Sequence, residues 1–388
     1  MVCSTLQNLE CMKIEVVPVT GKLVNDYIDF PHKLYASDEM YVPELYMAQK
    51  DMFNPKKNPF FEHAEVQSFL AYSNGEIAGR ISAILNKNYN AYHKCNVGFF
   101  GFFDVIDDYE VAKVLFDSAV SWCLEKGLDA VLGPTNFSTN DTAGLLIDGF
   151  HEPPKIMMTY NKPYYADFVD KYGFVKEMDL FAYILYTHKA SEKSIRLANT
   201  LEERLARKNI RFRNVNLKKF HEEVGHIRDI YNEAWSNNWG FVPWTDGELK
   251  HLADNLKMIV NPNWCYIAED NGKPIGFGIT LNDINEITKG FKKGRLFPFN
   301  IFKLLLRRHK TKFVRILALG VKPEYRRQGI EAIFFAKNIL QARADNVIAG
   351  EVSWVLENNA EMVMSAERLN SELYKTYRIY RYNLSNAS

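Results

Sequence analysis

The stretch Ala318-Leu-Gly-Val-Lys-Pro-Glu-Tyr-Arg-Arg-Gln-Gly-Ile330 runs a buried-strand pattern straight into a glycine turn edged with cations. Arg315 to Val321 reads as a strand, and Pro323 and Glu324 turn the chain. Apolar residues at Ile333, Ala336 and Leu340 then predict a helix over 330–344. The first amides of such a helix lack intrahelical partners and sit at the positive end of its dipole. With Gly329 allowing close backbone approach, the amides of residues 328–332 can hold a diphosphate, and Arg326 and Arg327 add positive charge.

Working outward, the same alternation of elements occurs twice. Val66–Tyr72 and Ile77–Ile84 flank Ser73-Asn-Gly-Glu76, and Trp264–Ala268 and Ile275–Leu281 flank Asp270-Asn-Gly-Lys273, two equivalent hairpin signals. Each is followed by a strand (97–103, 315–321), a helix (111–126, 330–344) and a further strand (130–132, 351–356). The pattern predicts an α/β protein of two tandem mixed-sheet lobes. The first spans 1–187 and the second 216–388, with a linker at 188–215 holding a charged helix from Ser191 to Arg207. Residues 1–11 read as an irregular extension before a strand that starts at Lys13.

The two lobes differ at the turn. After Phe103 the first lobe carries Asp104-Val-Ile-Asp-Asp-Tyr-Glu110, four acids and no glycine, where an anion would be repelled. The alternative for Asp107 and Asp108 is an N-cap pair. On the first reading the first lobe shapes a cleft and the second binds the anion.

Composition bounds the partners. A chain of 388 residues, 47% of them hydrophobic, can build two cores. Its net charge of +1 gives no support for nucleic acid. Five scattered cysteines without CxxC spacing indicate neither a disulfide framework nor a metal site, and fit a reducing cytosol. No apolar run approaches the ~20 residues of a membrane span, and the N-terminus lacks a basic region followed by an apolar one. A cytoplasmic protein, peripheral at the inner membrane face, is expected.

The reason for "peripheral" is residues 289–312, which hold nine Lys or Arg and no acid, inserted where a compact fold needs a short loop. On a helix from Phe299, Ile301, Phe302, Leu305 and Leu306 share one side, and Lys303, Arg307 and Lys310 the other, with Arg308 on the apolar side. Such a helix either lies on an anionic bilayer or packs its apolar side on the core.

The strand, the turn and Arg326-Arg-Gln-Gly-Ile330 resemble motif A of the GNAT acyltransferases, in a shifted register, with Glu331 where that family has a small residue. Gly294-Arg-Leu-Phe-Pro-Phe299, Gly133-Pro-Thr-Asn-Phe-Ser138 and Ser353-Trp-Val-Leu-Glu-Asn-Asn359 are similar to the tandem-GNAT group that includes YghO-type proteins and bacterial ceramide synthases. The resemblance implies acyl-CoA or acetyl-CoA as co-substrate, held by Leu319, Val321, Arg326, Arg327, Gln328, Gly329, Ile330 and Asn359. It implies transfer of a fatty acyl group to a long-chain base. Alternatives are acetylation of a small polar amine, acyl-CoA binding without turnover, or transfer from aminoacyl-tRNA, which would not need the phosphate turn.

An amine that attacks a thioester must first lose its proton, so a base and a dry cleft are required. Glu351 and Glu357 on the last strand are the candidates. The tyrosine that many GNAT enzymes use as general acid is absent, since Ala366-Glu-Arg-Leu-Asn370 stands in its place, and Tyr374 or Tyr377 could substitute. Asn136, Ser138, Asn140, Asp141 and Thr142 could line the cleft or cap a loop. His151 suits a loop better than a catalytic role.

Overall fold

The computed structural model describes residues 13–386, so the extension expected over residues 1–11 lies outside the described residues. Local chemistry sets the hairpins: Asn74 and Gly75 take φ of 52° and 86°, and Asn271 and Gly272 take 48° and 79°. Both residues of each two-residue turn are left-handed, the geometry that matches strand twist.

The first half runs β1 (Ile14–Pro18), α1 (Leu23–Leu34), α2 (Tyr46–Met52), β2 (Ala64–Ser73), β3 (Glu76–Asn86), α3 (Lys87–His93), β4 (Val97–Val105), α4 (Tyr109–Glu125), β5 (Ala130–Gly133), β6 (Thr135–Asn136), β7 (Thr142–Ala143), β8 (Leu145–Asp148), α5 (Tyr164–Tyr172) and β9 (Val175–Tyr186). The second runs α6 (Glu192–Ala206), β10 (Ile210–Asn214), α7 (Phe220–Ala234), α8 (Asp246–Leu256), β11 (Cys265–Asp270), β12 (Lys273–Asn282), α9 (Asn285–Thr288), α10 (Asn300–Arg307), β13 (Phe313–Val321), α11 (Ile330–Ala344), β14 (Ala349–Leu356), α12 (Ala360–Arg368) and β15 (Glu372–Asn383). The segment expected as a linker thus contains α6, which packs on α11, and β10, an edge strand paired with β11.

One 13-stranded sheet carries both halves, in the order β1-β2-β3-β4-β5-β15-β9-β14-β13-β12-β11-β10, with β8 also on β15. The halves exchange their last strands. β15 pairs with β5 of the first half, and β9 pairs with β14 of the second. In each half a helix covers the sheet: α4 through Val111, Leu115 and Phe116, and α11 through Ile333, Phe334 and Phe335.

The basic insertion reaches back to the first half. Lys293 pairs with Asp29 at 2.6 Å, and Arg295 lies 4.5 Å over the Tyr46 ring. Between them Gly294 has φ 60°, and a Cβ there would stand 1.8 Å from the Glu44 carbonyl oxygen, so only glycine fits. The apolar side of α10 differs from the expected set. Leu304 is its buried anchor, while Phe299, Phe302 and Leu306 are 78%, 63% and 74% exposed. Of the expected set, Ile301 packs with Leu304 on the core beside Leu281 and Phe291, while Phe302, Leu305 and Leu306 face outward.

Candidate active site

Strands β13 and β14 run parallel and pair only from Phe313 with Ala349 to Ile316 with Val352. Beyond that they diverge. On the other side of β13 the register slips, Ile279 facing Ala318 and Thr280 facing Ile316, which leaves Leu317 as a bulge residue. A bulge re-aims the backbone, and here it does so at the mouth of a wedge between two strands. One main-chain acceptor on that stretch is already taken, because Trp235 Nε1 donates to the Leu319 carbonyl at 3.0 Å.

The wedge opens into a cavity of about 310 Å³ between the sheet, α7, α8 and the loop joining β6 to β7. Four tryptophans line it, Trp235, Trp239, Trp244 and Trp354, together with Phe241, Leu317 and other apolar side chains. Thr139, Asn140 and Asp141 contribute from the first half, so part of the polar run does line the cleft. The run also holds the loop: Asn136 donates to Thr142 Oγ1 (2.8 Å) and accepts from the Phe102 amide (2.8 Å), while Asn140 accepts from the Tyr231 hydroxyl (2.8 Å).

At the base of the wedge Glu351 is fully buried. One carboxylate oxygen accepts from Ser353 Oγ at 2.5 Å and lies 3.4 Å from Arg315 Nε, and the other accepts from the Tyr374 hydroxyl. Arg315 also donates to Ser353 Oγ (2.8 Å) and to the Ile156 and Met157 carbonyls (2.9 and 3.0 Å), tying a first-half segment beneath the site. Burial lowers the guanidinium pKa, and the Glu351 charge opposes that shift. Burial, then the Glu351 charge, pushes the Tyr374 hydroxyl far above its ordinary value, so it keeps its proton and holds the carboxylate. Beside it, the buried Lys375 donates to the Gly149 and Glu152 carbonyls (2.7 and 2.6 Å), and burial pulls its pKa down to about 8.

Other expected residues stand apart from this group. Glu357 bonds to Lys176 (2.7 Å) and to the Asp179 amide (3.0 Å) and is not among the cavity-lining residues. Asn359 caps α12 through the Met362 amide (3.2 Å) and does line the cavity, as does Leu319. Val321 and Ile330 are buried in the core that α11 makes with the sheet. Tyr377 is fully buried, and His151 is exposed.

The glycine turn follows β13 directly. Gly329 N-caps α11 with φ 86°, preceded by Arg327 at φ 60°. Arg326 bonds to the Ala234 carbonyl, and the exposed Arg327 lies 3.3 Å from Glu361. Glu331, the residue that breaks the motif, has its pKa raised by burial, an effect Arg326 opposes.

The acidic turn of the first half works differently from the expected repulsion. Asp104 is buried, neutralised by Arg80 at 2.7 Å and bonded by the Tyr35 hydroxyl at 2.8 Å. Asp108 caps α4 by accepting from the Glu110 amide at 2.9 Å, the N-cap alternative.

Arg315, Ser353 and Trp235 were not picked out from the sequence. A charged residue inside the apolar run Arg315–Val321 was the available signal for the first of them.

The Acetyltransferase (GNAT) family profile matches residues 224–359. Protein YghO of Escherichia coli (strain K12) is 34% identical over 361 residues, 91% of this chain and 91% of that protein. Bacterial ceramide synthase of Caulobacter vibrioides is 34% identical over 380 residues, 95% of this chain and 97% of that protein. A tandem GNAT protein from the clavulanic acid biosynthesis pathway shares the fold, with TM-score 0.57 at 11% identity, covering 96% of this chain and 99% of that one.

Proposed function

Since the chain belongs to the GNAT acyltransferase family, we propose that it transfers a long-chain acyl group from CoA to the amine of a sphinganine-like base, forming a dihydroceramide-type amide. The observation that carries this reading is the cavity, about 310 Å³ and walled by tryptophan, phenylalanine and leucine. An acetyl group would fill a small part of it. An alkyl chain gains free energy along its whole length, about 0.8 kcal/mol per buried methylene. The name of the Caulobacter relative points the same way.

On this reading the CoA diphosphate sits on the amides of residues 328–332, and the thioester enters the wedge at Leu317. The amine arrives as an ammonium and must lose two protons before an amide results. Ser353 lines the cavity and donates to Glu351, so a proton leaving the tetrahedral adduct passes through Ser353 to that carboxylate. Glu351 is the base we favour. Glu357 is already engaged by Lys176.

The exposed Phe299, Phe302 and Leu306, with the exposed Lys303, Arg307 and Lys310, support a place on an anionic bilayer, where both long-chain substrates reside. Among the described residues no helix is long and apolar enough to cross a membrane.

The test is acyl transfer by purified protein from a long-chain acyl-CoA to a long-chain 2-amino-diol, set against a short polar amine. Product from the diol is expected. Acylation of the short amine alone would overturn the lipid assignment, and CoA binding without transfer to either would make the protein a binding module.

A further inference from the structure

One wall of the cavity carries an acid that the transfer chemistry above leaves unused. Asp141, in the loop between β6 and β7, lines the cavity from the first half. Its side chain accepts from Ser138 Oγ at 3.3 Å, and among the described residues no lysine, arginine or histidine forms an ion pair with it. Arg228 also lines the cavity but is bound to Asp229 and Asp246. Glu248 of α8, the like charge that acts on it, is satisfied by Thr245 (2.7 Å) and by His63 Nε2 (3.0 Å). On α7 the Tyr231 hydroxyl is spent on Asn140.

Asp141 is half-buried, and a carboxylate without a counterion at the edge of an apolar cavity is costly, a cost that either a proton or an incoming cation relieves. Burial first, and then the charge of Glu248, raise the Asp141 pKa to about 7. The group therefore changes charge close to neutrality.

We propose that Asp141 is the docking point and first proton acceptor for the ammonium group of the acceptor. This rests on the acyl-transfer reading. The ammonium pairs with the carboxylate, one N–H proton moves to an Oδ, and the neutral amine attacks the thioester carbon. As the C–N bond forms, the C–S bond breaks and CoA leaves as a thiolate that takes a proton from water. The second nitrogen proton leaves through Ser353 to Glu351. The apolar wall selects the chain, and Asp141 selects an amine over an alcohol of the same length.

The four cavity tryptophans supply a readout that needs no turnover. Their fluorescence would be titrated with a long-chain alkylamine and with the alcohol of equal length, in wild type, Asp141→Asn and Asp141→Glu. Wild type at pH 8 should prefer the amine by at least roughly tenfold, as expected for one desolvated ion pair. The preference should vanish in Asp141→Asn and persist in Asp141→Glu. In wild type it should fade as pH drops below about 7, because a carboxyl with a raised pKa is neutral there. An Asp141→Asn protein that keeps the preference, or a wild type that binds both probes equally, would overturn the assignment. Amine preference without acyl transfer would instead sink the transferase reading and leave Asp141 as an ammonium site.

Discussion

Each half buries an arginine–carboxylate pair between neighbouring strands, but at different points of the repeated unit: Arg80 and Asp104 join the antiparallel β3 and β4, whereas Arg315 and Glu351 join the parallel β13 and β14. In the first, Arg80 and Asp104 are joined by Tyr35, whose hydroxyl meets Tyr165 at 3.0 Å, and Tyr165 in turn accepts from the Val105 amide at 2.8 Å. Tyr35, which follows α1, and Tyr165 of α5 are thereby packed against the end of β4. In the second half, Arg315 lines an open cavity with Glu351 buried behind it, and the bonded aromatic groups are Tyr374 on Glu351 and Trp235 on the Leu319 carbonyl. What separates the lobes is that β4, past its short pairing with β5, is met by Asn136 at the Phe102 amide, whereas the space between β13 and β14 stays open as the cavity. The charge count of the turn is secondary.

Removing one member of each pair should separate structure from chemistry most strongly. Glu351→Gln should lower turnover by roughly 100-fold or more with acyl-CoA affinity nearly intact. Arg80→Met leaves Asp104 buried and unpaired, and should cost about 3–5 kcal/mol in denaturant unfolding while turnover per folded molecule is unchanged. If Arg80→Met slows turnover as much as Glu351→Gln does, the halves are not functionally distinct.

The insertion belongs to the second half alone. Each basic group near an anionic surface contributes about 1 kcal/mol, so reversing Lys303, Arg307 and Lys310 to Glu should lower vesicle partitioning by at least roughly 100-fold. Salt should weaken wild-type cosedimentation, since screening acts over about 10 Å at 0.1 M. A wild type that never sediments with vesicles would leave the exposed face of α10 without this explanation.

At the turns the contrast is smaller. Gly329→Asp adds like charge to the cradle, and its Cβ would stand 2.7 Å from Leu201 Cδ1 at a φ that disfavours side chains. Calorimetry should show acyl-CoA affinity reduced at least about tenfold. Asp108→Ala in the first half should cost about 1 kcal/mol of stability and leave that affinity alone. In the same half Tyr165→Phe should destabilise by about 1–3 kcal/mol by orphaning the Val105 amide, with CoA stoichiometry remaining one per chain.

The hairpins were legible because Asn-Gly forces a turn type, and α11 because its apolar spacing and Gly329 mark both face and start. Partnership between strands was not. β9 and β15 each have the pattern of a half-buried strand, and nothing local says whether the neighbour comes from the same half or the other. The role of Asp141 was equally hidden, since a polar run such as 136–142 reads alike whether it caps a loop or faces a cavity. Glu351 and Tyr374 could be named from the sequence, but their hydrogen bond depends on two strands that are joined only through β9.

The exchange of last strands bears on how the protein is made. Pairing of Tyr380 with Gly133 joins residues roughly 250 positions apart, the kind of non-local contact that slows folding. While the ribosome is still translating the second half, β5 has no partner on its outer side and offers an open edge to other chains. The sheet closes there only when β15 emerges. A polypeptide that stops before Glu372 would lose the strand between β5 and β9 and Tyr374 with it, so truncated products should aggregate as well as lack activity.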